Sequence, residues 1–399
     1  MKKSFLILLI VIIALVISAG CVQNEFKNSR IVAVEKNGVT ICNISLLNDT
    51  MKLPLSHFTE ELQIVKLEMS HDAVVKDNHV LISDNYILVK GGSWSSNEPS
   101  KLFSKDGKFI TNIGNWGHGP GEYMLVYDEV IDEKNNRIYL LPWTSDKILV
   151  FDLKGNVLEH IRLPMNVPKG KFFVDPNGET VTVFSLPFTG SPYIVWTQNI
   201  TGEVINGIEP GNLTVVPDYS NEVMAGKNTS DIQVFMFTFD HARIDKLYHY
   251  DTKKNKLVAK FLVDYSKKKN LAFPCYSELP NHFIGSIAAK ELKTDYGDGI
   301  AGAQVVNHRY FIIEKSSLKG NYFKLQNDYL GNLEIDWPLE AISNGYYAKN
   351  YDPGDLLEEL ENALKNNKLS AEMRKKVTEL KNSITDKDNN YILFAKLKK

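Results

Sequence analysis

The sequence has little cysteine. Three cysteines occur in 399 residues, at positions 21, 42 and 275. Small exported domains that rely on disulfides are rich in cysteine, so the chain does not belong to that class. An oxidising compartment would permit a bridge between Cys42 and Cys275. Their wide separation, in a chain long enough to build a core, makes us expect both to be unpaired.

The chain also lacks an excess of either charge. It has 46 Lys and Arg against 48 Asp and Glu, for a net charge of -2. Nucleic-acid-binding proteins usually carry a basic excess or a basic stripe, and we therefore expect no nucleic-acid partner. Hydrophobic residues make up 43% of the chain, which is enough for a packed globular core.

Sequence motifs of known chemistry are missing as well. There is no Gly-Lys-Ser/Thr, His-Glu-x-x-His or Gly-x-Ser-x-Gly, so catalytic residues stay unknown and no metal or cofactor is predicted. Asp386–Asn390 begins like a calcium loop but lacks its glycine and has Leu397 where glutamate is needed, which indicates a polar turn. The glycine-rich stretch 114–121 contains Pro120, which removes an amide donor, and no helix follows. It is predicted to be a tight loop and not a phosphate cradle.

What the chain does have begins with its first twenty residues. A basic start is followed by the apolar run 5–17 and by small residues at 18–20, directly before Cys21. This pattern predicts a secretory signal peptide over residues 1–20. The small residues and cysteine resemble the lipobox of bacterial lipoproteins, although Ser18 stands where that motif usually has leucine. The resemblance implies lipid attachment at Cys21 and a tether over residues 21–30.

The expected location is therefore exported, with the protein held in the bacterial cell envelope by lipid on Cys21. The membrane reached through that lipid is the first expected partner. The alternative is an uncleaved anchor, since the 17 residues from Ser4 to Gly20 lie at the short limit for crossing a bilayer. An uncleaved anchor has no need of the Ser-Ala-Gly-Cys sequence, which favours the lipoprotein.

Short alternating apolar runs dominate the rest of the chain and predict strands. A unit consisting of an aromatic, a polar turn with Gly or Asn, and a new strand recurs at Phe103, Phe151, Trp196 and Tyr250. Spacings of 48, 45 and 54 residues are typical of propeller blades. A further copy is expected near residues 323–333, after an insertion between about 265 and 302.

The predicted fold class is therefore all-β, a six-bladed β-propeller over residues 31–399. One blade cannot cover both of its faces, whereas blades in a ring cover one another. A β-sandwich pair and a β-solenoid are the alternatives. The spacing is too long for a solenoid coil, and a sandwich does not need the repeated unit.

Helical periodicity is found only near the end of the chain. Asp352-Pro353 and Ser370 are N-cap signals, each followed by an apolar stripe. These signals predict a helical hairpin over residues 351–384, inserted near the C-terminus. The run 391–397 is predicted to be a strand that completes the last blade, beside a strand from the N-terminal segment.

The segments Phe103–Gly107 and Asn115–Tyr123 resemble those of bacterial six-bladed β-propeller lipoproteins of unknown function. Members pair a strand–Asp-Gly–strand unit with a Gly-x-Gly-Pro-Gly-Glu-Tyr segment, here ending in Gly-Pro-Gly-Glu-Tyr. The resemblance implies the fold and an envelope location. It supplies no catalytic residues.

Aromatic residues beside turns are the candidate binding residues, namely Trp94, Trp116 and Trp143, together with His118. Aromatic rings on loops can stack on sugars or on protein side chains, although propellers also bury such rings between blades. The first functional hypothesis is a binding or scaffold lipoprotein for a glycan, peptide or envelope protein. The second is an envelope hydrolase or lyase with its site at the channel mouth, which rests on analogy with other propellers.

Overall fold

The computed structural model describes residues 25–76, 79–93, 97–217, 221–229, 233–238, 246–265, 271–293 and 302–399. The predicted signal peptide, Cys21 and Trp94 lie outside these residues. Within them the fold is an all-β propeller with few helices, as expected from the sequence.

The strands follow one another in chain order. The N-terminal strands are β1 Arg30–Ile31, β2 Ala33–Lys36, β3 Val39–Asn43, β4 Thr50–Pro54 and β5 Gln63–Lys66. Sheet I contains β6 Val80–Ile82, β7 Tyr86–Val89, β8 Ser100–Ser104 and β9 Phe109–Ile113. A small ribbon consists of β10 Asn115–Trp116 and β11 Glu122–Tyr123. Sheet II contains β12 Val126–Asp132, β13 Arg137–Pro142, β14 Ser145–Phe151 and β15 Ile161–Val167.

Sheet III contains β16 Gly170–Val174, β17 Thr180–Ser185, β18 Val195–Asn199 and β19 Val204–Ile208. Sheet IV is built on β20 Glu222–Gly226, β21 Gln233–Thr238, β22 Lys246–Asp251 and β23 Lys256–Asp264. Sheet V is built on β24 Leu271–Glu278, β25 His282–Lys293, β26 Gly302–Glu314 and β27 Lys319–Asn327, with β28 Leu333–Ile335 beside β27. Sheet VI contains β29 Ile342–Ser343, β30 Tyr346–Tyr351 and β31 Tyr391–Lys396, with β5 at its edge.

Few helices accompany the strands. In the described part of the chain the α-helices are α1 Pro338–Ala341, α2 Pro353–Leu364 and α3 Ala371–Ser383, and short 3-10 turns occur at Ile44–Leu46, Leu55–His57, Gly211–Leu213 and Asp328–Leu330.

The repeated aromatics occupy equivalent places. Phe103, Phe151, Trp196 and Tyr250 all lie on the third strand of their sheets and are buried. The turn that follows each has a residue with positive φ, namely Gly107, Gly155, Gly202 and Asn255. Glycine and asparagine tolerate that conformation best, which explains the recurring turn composition. The repeat is therefore the hairpin of the third and fourth strands.

The expected later copy near residues 323–333 was placed wrongly. In sheet V the third and fourth strands are β26 and β27, so the matching turn follows Glu314. The described residues of the expected insertion instead belong largely to β24 and β25, and the pairing of β25 with β26 extends to Lys293 and Gly302. An extended hairpin keeps the strand period, so it is hard to distinguish from additional strands.

The N-terminal segment joins three sheets. Strand β5 pairs antiparallel with β31, which confirms that the C-terminal strand lies beside an N-terminal one. Strand β3 pairs with β23 and carries β2, while β1 and β4 pair with β27. These pairings cover outer edges that would otherwise expose unpaired backbone groups.

Helices α2 and α3 lie in the chain between β30 and β31, which pair directly. Asp352 accepts a hydrogen bond from Asp355 N, and Ser370 accepts one from Met373 N, so both predicted N-caps are confirmed. Leu356, Leu360 and Val377 are buried in the core between sheets V and VI. Capping and this apolar stripe stabilise the two helices together.

Antiparallel alternation gives the propeller two distinct ends. Loops before each first strand and between each second and third strand lie at one end, here called the cavity end. Turns between first and second strands, and between third and fourth strands, lie at the other, here called the tether end. Among the described residues, no helix is long and apolar enough to cross a membrane.

Candidate functional site

The glycine-rich loop before β12 is built by its own motif. Gly114, Gly117 and Gly121 have positive φ, which confirms the tight-loop prediction. Glu122 Oε2 accepts a hydrogen bond from Gly119 N at 2.7 Å. The hydroxyl of Tyr123 donates to Ile113 O at 2.6 Å and accepts from Ser100 N at 2.7 Å. Burial raises the pKa of Tyr123 to about 12, so it remains a donor at neutral pH.

This loop and its neighbours enclose a cavity of about 720 Å³ at the cavity end, here called the aromatic cavity. Trp116, His118 and Trp143 all line it, and Ser93, next to Trp94, lines it too. Strand β10 pairs with β11 and holds Trp116 44% exposed to solvent. Trp143 donates its backbone N–H to Leu125 O at 2.8 Å, which fixes the turn between β13 and β14.

Three of the four selected residues, which come from two loops, therefore line one cavity, while the fourth lies outside the described residues. Their role in ligand binding remains a prediction. Glu122 and Lys147 add one acidic and one basic side chain to the lining. A concave site with flat aromatic faces and a few polar groups is typical of small-ligand recognition.

A second cavity, of about 750 Å³, is lined by the first strands of successive sheets and is here called the central cavity. It receives residues from β12, β16, β20, β24 and β29. Ser93, Leu125 and Trp143 line both cavities, so the two are adjacent. Unlike the aromatic cavity, the central cavity is rich in charged side chains.

Glu222 is the centre of one charged group. Its carboxylate forms an ion pair with Lys169 and accepts a hydrogen bond from the hydroxyl of Tyr127. Burial and the Glu222 charge together raise the pKa of Tyr127. The Lys171 ammonium lies 4.9 Å from the centre of the Tyr127 ring, close enough for a cation–π contact.

Asp128 is the centre of a second group. Its Oδ2 lies 3.0 Å from Lys227 Nζ and accepts a hydrogen bond from Phe172 N at 2.9 Å. Its Oδ1 lies 3.5 Å from Lys171 Nζ. One carboxylate thus connects sheets II, III and IV, because the two lysines and Phe172 belong to the neighbouring sheets.

Glu129, the next residue of β12, is the most buried acid of the cavity, with 5% of its side chain exposed. Its Oε1 lies 2.7 Å from His79 Nε2, and its Oε2 lies 3.9 Å from Lys90 Nζ. Oε2 has no hydrogen-bond partner among the described residues. Burial alone would raise the pKa of Glu129, but the charges of Lys90 and His79 hold it below its ordinary value.

Glu340 differs from the other acids. It also lines the central cavity, yet no described cation forms an ion pair with it. Partial burial raises the pKa of its carboxyl above the ordinary value. The central cavity therefore contains carboxyl groups whose pKa values are shifted in opposite directions, which is a common feature of acid–base sites.

The sequence did not indicate these charged residues. They come from strands, loops and a helix of several sheets, and alternation along a strand does not show which acids will converge. The described residues include no group of three His, Cys, Asp or Glu that could hold a metal ion. In the calcium-like segment, Asp388 accepts hydrogen bonds from Tyr391 and Thr385.

Comparison with known proteins places the chain in a family. The chain belongs to the family of the domain of unknown function DUF4934, whose model matches residues 39–396. No curated protein matches the sequence. The resemblance seen in the sequence implied a propeller of a family of unknown function, and both the fold and the family agree with that.

Several solved structures are similar to the chain. A Bacteroides fragilis protein described as exported is 16% identical with a TM-score of 0.53, and the match covers 85% of this chain and 95% of that one. A member of the duf4221 family from Bacteroides vulgatus is 10% identical with a TM-score of 0.41, covering 85% and 97%. A periplasmic gluconolactonase from Pseudomonas aeruginosa is 13% identical with a TM-score of 0.32, covering 60% and 68%. At such identities the first match supports the fold alone.

Proposed function

We propose that the protein is an exported, lipid-anchored binding protein of the bacterial cell envelope and that its aromatic cavity binds a glycan. One observation carries the proposal. Trp116, His118 and Trp143 come from two separate loops and line the same cavity at the cavity end. Indole rings on loops offer flat apolar faces that pack against sugar rings, and nearby polar groups can bind hydroxyls.

The sequence predicted six blades, whereas five of the sheets, II to VI, place their first strands on the central cavity. Closure of the ring is supported by the pairing of β5 with β31, which joins the N-terminal segment to the last sheet. Helices α2 and α3 are a hairpin inserted within the last blade. The signal sequence and Cys21 supply the export and lipid-attachment part of the proposal.

A glycan microarray probed with the mature protein tests the binding part. Trp116→Ala and Trp143→Ala should each weaken binding to any glycan recognised, by about tenfold if stacking contributes roughly 1.4 kcal/mol. Trp337→Ala is a matched control, because Trp337 is also exposed, at 54%, and does not line the aromatic cavity. Unchanged glycan binding in both cavity variants, or binding of peptides alone, would overturn the glycan assignment.

An envelope hydrolase or lyase is the second candidate, and the central cavity favours it. Glu340 retains its proton more readily than an ordinary glutamic acid, whereas Glu129 is held ionised. A protonated carboxyl near ionised ones can donate a proton to a leaving group. The remaining central carboxylates are paired with lysine or histidine, which is why binding is the preferred function.

Enzyme activity is tested by incubating the protein with envelope polysaccharides and measuring new reducing ends or unsaturated products. Glu340→Gln should abolish product formation if Glu340 is the acid, because glutamine cannot donate that proton. Glu372→Gln, an exposed change on α3, should leave the rate unchanged. Turnover that survives in the Glu340→Gln protein would exclude this role.

A further inference from the structure

The start of the described chain is fixed to one end of the propeller. Phe26 is 1% exposed, and its ring centre lies 5.5 Å from that of His282, the first residue of β25. The rings of His57 and Phe58 complete the cluster, at 5.5 Å each from His282. Burial of one phenylalanine side chain contributes about 2 kcal/mol, so this contact is a substantial attachment.

Polar contacts hold the backbone of Phe26 and the residues that follow it. Lys319 Nζ lies 3.3 Å from Lys27 O and 3.5 Å from Phe26 O. Asn321 Nδ2 donates to Ser29 Oγ at 2.9 Å. Strand β1 then pairs with Lys319 and Gly320 at the start of β27.

These partners all belong to the tether end. His282 follows the turn between the first and second strands of sheet V, and Lys319 follows the turn between the third and fourth. The aromatic cavity, by contrast, is lined by the loop before β12 and by the loops after β7 and β13, which lie at the cavity end. Strand alternation thus separates Phe26 from the aromatic cavity by the length of a strand.

The segment between Cys21 and Phe26 is too short to reach from one end of the propeller to the other. Five residue steps connect Phe26 to Cys21, and a fully extended chain spans at most about 18 Å over that number of steps. The seven residues of β12 span about 23 Å between the two ends. A lipid on Cys21 can therefore lie close to the tether end but cannot bring the cavity end to the same membrane without releasing Phe26.

We infer that the propeller binds its membrane with a fixed orientation, in which the tether end faces the bilayer and the aromatic cavity faces away. The inference rests on the proposed lipid at Cys21 and adds the surface that meets the membrane. In this arrangement a ligand approaches from the space beyond the membrane surface, and the ring itself keeps the cavity clear of lipid headgroups.

Site-specific fluorescence quenching on vesicles tests the orientation. Single exposed cysteines are introduced at Lys253 and Ser316 for the tether end, and at Asn97 and Glu209 for the cavity end, each followed by labelling. Cys42 is fully buried, and the unsubstituted lipidated protein measures any labelling of Cys42 or Cys275. The lipidated chain is reconstituted into phosphatidylcholine vesicles that carry a spin-labelled headgroup quencher.

The labels at Ser316 and Lys253 should be quenched at least about twofold more strongly than those at Asn97 and Glu209. The reason is that the two ends lie about 23 Å apart along the strands. Equal quenching at both ends, or stronger quenching at the cavity end, would overturn the orientation while leaving the lipid anchor intact. Phe26→Ala should reduce the difference in quenching between the two ends, because it loosens the attachment of the N-terminal segment to the tether end. The mature Cys21→Ser chain should show no quenching at any position, and vesicle binding by that variant would instead refute the anchor.

Discussion

His79 Nε2 lies 2.7 Å from Glu129 Oε1 at the edge of the central cavity. This contact joins the start of sheet I to the first strand of sheet II. The contact crosses between neighbouring sheets, and the Lys90 ammonium lies 3.9 Å from the other oxygen of the same carboxylate. Because Glu129 is almost completely buried, its ionised form depends on these partners.

Glu129→Ala should lower the free energy of unfolding by about 3 kcal/mol at neutral pH, because it leaves His79 and Lys90 without their shared buried partner. Urea unfolding followed by tryptophan fluorescence measures the change. The pKa of Glu129 is lowered in the folded chain, so its contribution is present above the ordinary pKa of glutamate and is lost as the pH falls below it. Glu372→Ala is the exposed control, and its free energy of unfolding should lie within about 0.5 kcal/mol of the wild-type value. An equally small change for Glu129→Ala would contradict a stabilising role for the buried carboxylate.

The motif Gly-Pro-Gly-Glu-Tyr gives a second prediction. Tyr123→Phe removes the hydroxyl that bridges Ser100 N and Ile113 O and leaves both backbone groups without that partner. The free energy of unfolding should fall by about 1–3 kcal/mol. Tyr86→Phe provides the comparison, since its hydroxyl forms no hydrogen bond with the described residues. If both variants unfold at the same urea concentration, the motif does not stabilise the loop in this way.

Much of the fold was predictable because its signals are local. A third strand, a turn that needs positive φ and a fourth strand are adjacent in sequence, so Phe103 and Gly107 mark one blade by themselves. The helix caps at Asp352 and Ser370 are local for the same reason. The extended hairpin of β25 and β26 was misread, since strand alternation does not reveal which strands pair.

The candidate site was predictable only in part. Trp116 and Trp143 could be selected because turn residues flank them, and loops that follow alternate strands gather at the same end of a propeller. Asp128, Lys171 and Lys227 could not be selected, because each is an ordinary polar residue in a strand or directly after one. Their convergence depends on the angle between successive sheets, which no short stretch of sequence encodes.

The repeated aromatics give a prediction about the core. Trp196 is fully buried and donates its indole N–H to Gln198 Oε1 at 2.7 Å. Trp196→Ala should lower the free energy of unfolding by about 3–5 kcal/mol. The substitution opens a cavity and leaves the side-chain oxygen of Gln198 without the indole donor. Thermal unfolding by circular dichroism measures the loss. Trp337→Ala, at an exposed position, should shift the melting temperature little, and an equal shift would argue against a structural role for the repeat.

Acid should weaken the attachment of the N-terminal segment through His282. Burial, helped by the nearby charges of His57 and Lys315, lowers the pKa of His282 to about 4, against an ordinary value of 6.5. A histidine with a lowered pKa favours the folded state when neutral, so its contribution is complete above pH 6.5 and declines as the pH falls toward 4. Between pH 7 and pH 5 the free energy of unfolding should fall by about 2 kcal/mol from this group.

His282→Phe removes the titration while keeping a ring beside Phe26 and Phe58. Its free energy of unfolding should therefore decrease by about 2 kcal/mol less than that of wild type between pH 7 and pH 5, measured by urea unfolding at both values. His71→Gln replaces a histidine that is almost fully exposed and should retain the wild-type dependence on pH. Parallel pH dependences of the wild-type and His282→Phe proteins would show that His282 does not govern acid stability, because a buried neutral histidine must make the folded state lose stability on acidification.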